Sequence, residues 1–150
     1  MVQEETSRAH ASGVGFSLHS DIVVPYIENF GSDEQKKQWL PGMASGKIIG
    51  AIAMTEPGTG SDLQAMSCKA RLDGDEWVIN GSKTFISNGQ LCDLTIVACR
   101  TEVPGQDPAT GWQSMSLFLV PATAKGFVRG KRLEKIGMHA QDTSEMAFED

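Results

Sequence analysis

The sequence predicts an α+β chain: a short helical segment first, then an antiparallel β-barrel or sandwich. Three observations carry this. Apolar residues recur at mostly helical spacing over residues 4–30, and a helix-capping pattern follows at Ser32. After Gly46 the signal changes to at least six short strand-like runs separated by turn residues. No helical crossover pattern separates those runs, which a parallel α/β sheet would require.

The elements follow in order. Gly13 and Gly15 weaken the middle of the first helical stretch, and Pro25 is expected to end or kink a helix that begins near Phe16. In Ser32-Asp33-Glu34-Gln35 a hydroxyl faces an orphan amide and Gln35 reaches back, a capping box. Asp33 and Glu34 in the first turn and Lys36 and Lys37 after it suit the helix dipole. This helix is expected to run to Leu40 and break at Pro41, with a short helical continuation before Gly46. Residues 47–54 form an apolar strand. Residues 66–72 and 76–80 flank Asp73-Gly74-Asp75 as a hairpin, Asn80-Gly81 is a second turn, and 83–87 is another short strand. Residues 94–100 and 114–120 are strands rich in β-branched or large apolar side chains, separated by a Pro- and Gly-containing loop. Residues 126–129 and 144–148 are the last, weaker strands.

Composition narrows the function. The 150 residues are 40% hydrophobic and 21% charged, in the range of a folded globular domain rather than a disordered chain. The net charge of −6 argues against a nucleic-acid surface. No run approaches the roughly 20 apolar residues of a membrane helix, and no secretory signal is visible. Three cysteines, Cys68, Cys92 and Cys99, form no CxxC pair, and an odd number suits a reducing compartment. His10, His19 and His139 share no metal-ligand spacing, so no metal site is expected. The apolar helix faces call for more helices than this chain supplies, and the chain is expected to be a fragment.

Two stretches stand out chemically. Thr55-Glu56-Pro57-Gly58-Thr59-Gly60-Ser61-Asp62 follows a strand and could present backbone amides to an anion or a polar ring edge. It lacks the Gly-Lys-Ser/Thr of a P-loop, and Leu63 breaks the dinucleotide fingerprint. On its residues alone it reads more readily as a tight surface turn. Lys83-Thr84-Phe85-Ile86-Ser87-Asn88-Gly89 could hold a planar ligand by stacking and one hydrogen bond, or be a half-buried strand running into a turn. No GxSxG elbow exists. Asn80-Gly81-Ser82 fits a glycosylation acceptor but reads as a turn, and the run Arg129-Gly130-Lys131-Arg132 as a solvated strand end.

Together these segments resemble the acyl-CoA dehydrogenase family over nearly the whole chain. The markers occur in order: Tyr26-Ile27-Glu28-Asn29-Phe30-Gly31-Ser32-Asp33-Glu34-Gln35, Leu40-Pro41, and Ala53-Met54-Thr55-Glu56-Pro57-Gly58-Thr59-Gly60-Ser61-Asp62. Then come Asn80-Gly81-Ser82-Lys83-Thr84-Phe85-Ile86-Ser87-Asn88-Gly89, Gly126-Phe127, Lys135-Ile136-Gly137-Met138, and Asp142-Thr143 leading to Phe148-Glu149-Asp150. Gly15-Phe16-Ser17-Leu18-His19-Ser20 and His139-Ala140-Gln141-Asp142-Thr143 are most similar to the long-chain branch. The resemblance implies the end of an N-terminal helical domain over 1–46 and a middle antiparallel β-barrel domain over 47–150, with the family's C-terminal four-helix bundle absent.

It also implies FAD as cofactor, acyl-CoA as substrate and an electron-transfer flavoprotein as electron acceptor. The full-length protein would be a homotetramer or dimer in a bacterial cytoplasm or a mitochondrial matrix. The stretch from Ile52 through Ala53, Met54 and Thr55 to Ser61 would follow the flavin edge, with Met54 and Thr55 bonding the pyrimidine end. Gly60 and Ser61 would lie near the pyrophosphate, with the Ser61 carbonyl facing acyl-CoA. Phe85, Ile86 and Ser87 would cover one ring face, the Ser87 hydroxyl near N5. Ala109 and Thr110 would touch the CoA portion, although Thr110 departs from the residue expected there. Many relatives carry Trp and Thr where this chain has Phe85 and Ser87. Phe keeps the stacking surface and loses an indole N–H, whereas Ser keeps the hydroxyl. The implied reaction oxidises fatty acyl-CoA to trans-2-enoyl-CoA in β-oxidation. Its base is a glutamate in the absent bundle, so no catalytic residue is assigned and the 150 residues alone are expected to be inactive. Glu56 is expected to be a structural acceptor. The alternatives are an acyl-CoA or nitroalkane-type oxidase on the same fold, and a short non-catalytic acyl-CoA- or partner-binding module.

Overall fold

The structure, a computed structural model, describes residues 2–102 and 115–150. Three helices, α1 (Val2–Arg8), α2 (Val24–Phe30) and α3 (Asp33–Ala44), precede seven strands. The strands are β1 (Gly50–Ala53), β2 (Lys69–Asp73), β3 (Glu76–Ser87), β4 (Leu94–Glu102), β5 (Met115–Pro121), β6 (Phe127–Arg132) and β7 (Thr143–Phe148).

Neither proline breaks its helix as expected. A wide π-helical turn over Ser17–Val23 runs directly into α2, and Pro25 falls at the start of the α-helical part. The Val24 amide already reaches back five residues to the His19 carbonyl, and this wider spacing accommodates a ring that would clash in a regular α-turn. Pro41 sits inside α3, which continues to Ala44. The capping box forms as read: the Gln35 amide donates to the Ser32 hydroxyl at 3.3 Å and the Ser32 amide to the Gln35 side chain at 2.8 Å.

The strands form one curled sheet, in the order β1-β4-β2-β3-β7-β6, with β5 on β4. The sheet is mixed, which corrects the antiparallel expectation. β2–β3, β3–β7, β6–β7 and β4–β5 are antiparallel, but β1 and β2 both run parallel to β4. The cause is geometric. β1 pairs with the first half of β4, Gly50↔Leu94 to Ala53↔Val97, and β2 with its end, Lys69↔Arg100 to Arg71↔Glu102. One edge of β4 thus holds two strands laid in the same direction, joined by residues 54–68 rather than by a helix. The curl is a half-barrel: among the described residues β5 and β6 share no ladder, and a cleft of about 770 Å³ opens between them beside Trp77 and Phe118.

Gly74 closes the β2–β3 hairpin at φ 65°, as its sequence predicts. Asn80-Gly81 does not turn; β3 runs straight through it. Gly81 adopts φ 148°, and a Cβ there would lie 2.7 Å from the Cys68 Cα, so the glycine serves close backbone approach.

β4 is buried on both faces. Leu94 and Ile96 meet Val23, Ile27 and Met43 of the helical layer, while Val97 and Cys99 join Ala51, Ala70, Ile86, Met146 and Phe148 inside the curl. Each fully buried Ile, Leu or Val contributes about 1.5–3 kcal/mol, so helices and sheet fold as one packed unit. Phe16, Ile22 and Phe30 remain exposed on the helical layer. No helix of the described residues is long and apolar enough to cross a membrane.

Candidate functional site

The site grows from the place where β1 ends. Past Ala53 the chain leaves the β4 ladder, and Met54 and Thr55 are taken up by β3 instead. The Thr84 amide donates to the Thr55 carbonyl at 2.9 Å and the Lys83 ammonium to the Met54 carbonyl at 3.1 Å. The β3–β7 register slips just here, between Lys83 and Ile86. Such a bulge re-aims side chains. Phe85 takes φ 58°, strained for a bulky residue, and its ring stands 65% exposed while Ile86 beside it is buried.

Ser87 follows, half-buried and paired with Thr143. Its hydroxyl oxygen accepts a hydrogen bond from the Gln141 side chain at 3.1 Å, which leaves its own proton to donate elsewhere. Gln141 also lines a cleft of about 740 Å³ with the apolar side chains of Ala11, Val14, Leu18 and Met138, so this cleft adjoins the Ser87 hydroxyl.

Asn88, at φ 62°, ties the end of β3 to β1: its side-chain amide donates to the Gly50 carbonyl at 3.1 Å. The buried Asp142 carboxylate receives the amides of Gln90 at 2.7 Å and Leu91 at 3.1 Å, holding the turn after Ser87 against β7.

Beneath this surface lies an ion pair. Lys83 Nζ is 2.8 Å from Glu56 Oε1, with side chains 0% and 2% exposed. Glu56 also accepts the Ser67 amide and hydroxyl and the Cys68 amide. Burial pushes its carboxyl up, but the Lys83 hydrogen bond and those of Ser67 and Cys68 outweigh this and hold it down at about 2. Glu56 is therefore a structural acceptor, fully occupied and unfit to take a proton near neutrality.

The structure thus brings Ile52 and Ala53 on β1, and Met54 and Thr55 beyond it, beside the bulge that displays Phe85 and half-exposes Ser87, whereas the Ile86 side chain turns into the core rather than outward with them. Gly60 and Ser61 lie on the exposed loop after a tight Glu56–Thr59 turn, and among the described residues no hydrogen bond ties them to that cluster. Ala109 and Thr110 lie outside the described residues. Arg129 of the basic run folds back, its guanidinium 2.7 Å from the Cys92 carbonyl and over the Phe127 ring. Lys83, Asn88 and Gln141 were not singled out from the sequence as site residues. Only Lys83 carried a signal: a charge at the same strand parity as Ile79 and Gly81, which face inward.

Comparison with known proteins follows this geometry. The family profile "Acyl-CoA dehydrogenase, N-terminal domain" matches residues 1–47 and "Acyl-CoA dehydrogenase, middle domain" residues 51–150. The mitochondrial long-chain specific acyl-CoA dehydrogenase of Sus scrofa is 55% identical over all 150 residues, which cover 34% of that protein. A crystal structure of an acyl-CoA dehydrogenase from Geobacillus kaustophilus superposes with TM-score 0.85 at 51% identity, over 93% of this chain and 36% of that one. A glutaryl-CoA dehydrogenase from Mycobacterium smegmatis in complex with FADH2 superposes with TM-score 0.79 at 34% identity, over 89% of this chain and 32% of that one. The chain spans about a third of the length of the curated relatives it matches.

Proposed function

We propose, since this chain belongs to the acyl-CoA dehydrogenase family, that its sheet is the FAD and acyl-CoA platform of a flavoprotein oxidising fatty acyl-CoA to trans-2-enoyl-CoA in β-oxidation. One observation carries the reading: the Met54-Thr55 segment is fastened to a bulge that holds an aromatic ring outward at a strained angle, with a hydroxyl two residues on. An exposed ring on a strained backbone, flanked by polar atoms, suits a flat heteroaromatic ligand. FAD fits these residues, and the chemistry it supplies when bound is acceptance of a hydride.

The chain's own groups have definite tasks. Thr55 and the Met54 backbone supply hydrogen bonds at the polar edge of the ring, along Ile52 and Ala53. Phe85 stacks on one face with Ile86 behind it and keeps water off. Ser87, its oxygen occupied by Gln141, donates its proton towards the ring. Gly60 and Ser61 lie near the pyrophosphate, and Ser61, Ala109 and Thr110 serve acyl-CoA. The cleft of about 740 Å³ lined by Gln141, Val14, Leu18 and Met138 is assigned to the acyl chain. Since Glu56 is fully engaged, we assign no base within these residues and place the α-proton acceptor outside them. The segments 1–46 and 47–150 act as the helical and β parts of one platform. The electron acceptor is an electron-transfer flavoprotein and the assembly a homotetramer or dimer. Names of the relatives point to a mitochondrial matrix or a bacterial cell as the setting.

The test is reconstitution of the protein from its complete reading frame with FAD, followed by anaerobic titration with a long-chain acyl-CoA. Bleaching of the flavin band together with enoyl-CoA formation supports the reading. Rapid reoxidation by oxygen identifies an oxidase instead, and a protein that takes up acyl-CoA but no flavin identifies a binding module.

A further inference from the structure

We propose that Lys83 is a positioning residue for the flavin site: through its buried pair with Glu56 it clamps the Met54 carbonyl and so fixes the polar edge of the ligand's seat. This rests on the FAD reading above and adds to it a group that touches neither flavin nor substrate.

A lysine side chain with no exposure has lost its hydration, and a single carboxylate beside it rarely recovers that in full. Glu56 has a structural task of its own, since it accepts the amides of Ser67 and Cys68. The lysine adds what an apolar side chain could not supply, a directed hydrogen bond from a buried donor.

Lys83 makes that bond to the Met54 carbonyl, at 3.1 Å. The β1–β4 ladder ends one residue earlier, at Ala53↔Val97, so this carbonyl has left its strand partner and is aimed by the ammonium. The neighbouring Thr84 amide holds the Thr55 carbonyl at 2.9 Å. Two consecutive residues of β3 thus grip two consecutive residues beyond β1, immediately before the bulge turns Phe85 outward. Glu56 completes the clamp from the far side, since it lies two residues past Met54 and is itself pinned by the amides of Ser67 and Cys68. Met54 and Thr55, on the segment beyond β1, are therefore held to β3 next to Phe85 by the Lys83 ammonium and the Thr84 amide together.

The experiment uses the protein from its complete reading frame, reconstituted with FAD. Three variants are compared with wild type: Lys83→Met, the doubly apolar Lys83→Met/Glu56→Leu, and Lys83→Arg. FAD affinity, the position of the visible flavin band and Tm are measured for each. The double variant is expected to lose stability, because the Ser67 and Cys68 amides and the Met54 carbonyl lose their partners, and when folded to bind FAD roughly tenfold or more weakly, with a displaced band. Lys83→Arg, which keeps the charge but replaces the compact ammonium with a larger planar guanidinium, is expected to fall between. A folded double variant with FAD affinity within about twofold of wild type and an unmoved band overturns the proposal. If neither methionine variant folds, Lys83→Arg decides in the same way: unchanged affinity and band overturn it. Wild type that takes up no flavin overturns the underlying reading itself, an outcome distinct from the variant failing to differ.

Discussion

Protonating Glu56 is expected to remove about 3 kcal/mol from the folded state. Its carboxyl is held at about 2, against 4.5 for a free glutamate. Each pH interval over which the unfolded chain binds a proton and the folded chain does not changes stability by about 1.36 kcal/mol per pH unit. Because the folded value is depressed, the contribution is complete above about pH 5, falls as pH drops between 4.5 and 2, and is gone below that. Other carboxylates titrate in the same range, so the informative quantity is a difference. Urea unfolding of wild type and Glu56→Gln is compared at intervals from pH 6 to pH 3. The variant leaves the Lys83 ammonium uncompensated, and at pH 6 it should be less stable by about 3–5 kcal/mol. From pH 5 to pH 3 the gap should narrow by about 2 kcal/mol, as wild type loses what the variant lacks. A gap constant to within about 0.5 kcal/mol over that range would refute the idea that Glu56 is ionised in its buried seat.

Gly81→Ala combines an unfavourable φ with a Cβ placed 2.7 Å from the Cys68 backbone, and chemical denaturation should show a loss of about 2–4 kcal/mol. Ser32→Ala removes the acceptor for the Gln35 amide and should lower stability by about 1 kcal/mol in the same assay. Thr55→Ala and Ser87→Ala, in the reconstituted protein, should each weaken FAD binding by about 0.5–1.5 kcal/mol in a fluorescence titration. Unchanged affinity in both would remove these hydroxyls from the site.

Where signals are local, the sequence was a sound guide. The Ser32 capping box, the Gly74 hairpin and the apolar runs of β4 and β5 each depend on neighbours within a few residues. Non-local effects were out of reach. Asn80-Gly81 has the letters of a turn, yet the glycine answers to Cys68, which lies 13 positions earlier and packs against it. Pro25 and Pro41 carry their usual steric penalty, but a π-turn before one absorbs it and α3 continues through the other. The parallel laying of β1 and β2 on β4 has no periodicity of its own, because a strand's side-chain alternation is the same whichever way its partner runs. The candidate site divides in the same way. Residues 55–62 and 83–89 were legible as unusual segments, and their resemblance to a family's motifs brought in residues 52–54 and set them beside 85–87. That Lys83 joins them was not legible, since its partner Glu56 sits 27 positions away.

Phe85 shows what such a joint demands of the sequence. Its backbone angle is one that glycine adopts freely and a large aromatic resists, at about 1–3 kcal/mol. Its ring, mostly in solvent, recovers little of that within this chain. Phe85→Gly is thus a substitution by which the chain gains robustness as it loses a ligand-facing surface. Breeding for heat tolerance alone, with no requirement for the ligand, would drift towards that glycine. The aromatic persists only while something outside the folding equilibrium rewards it.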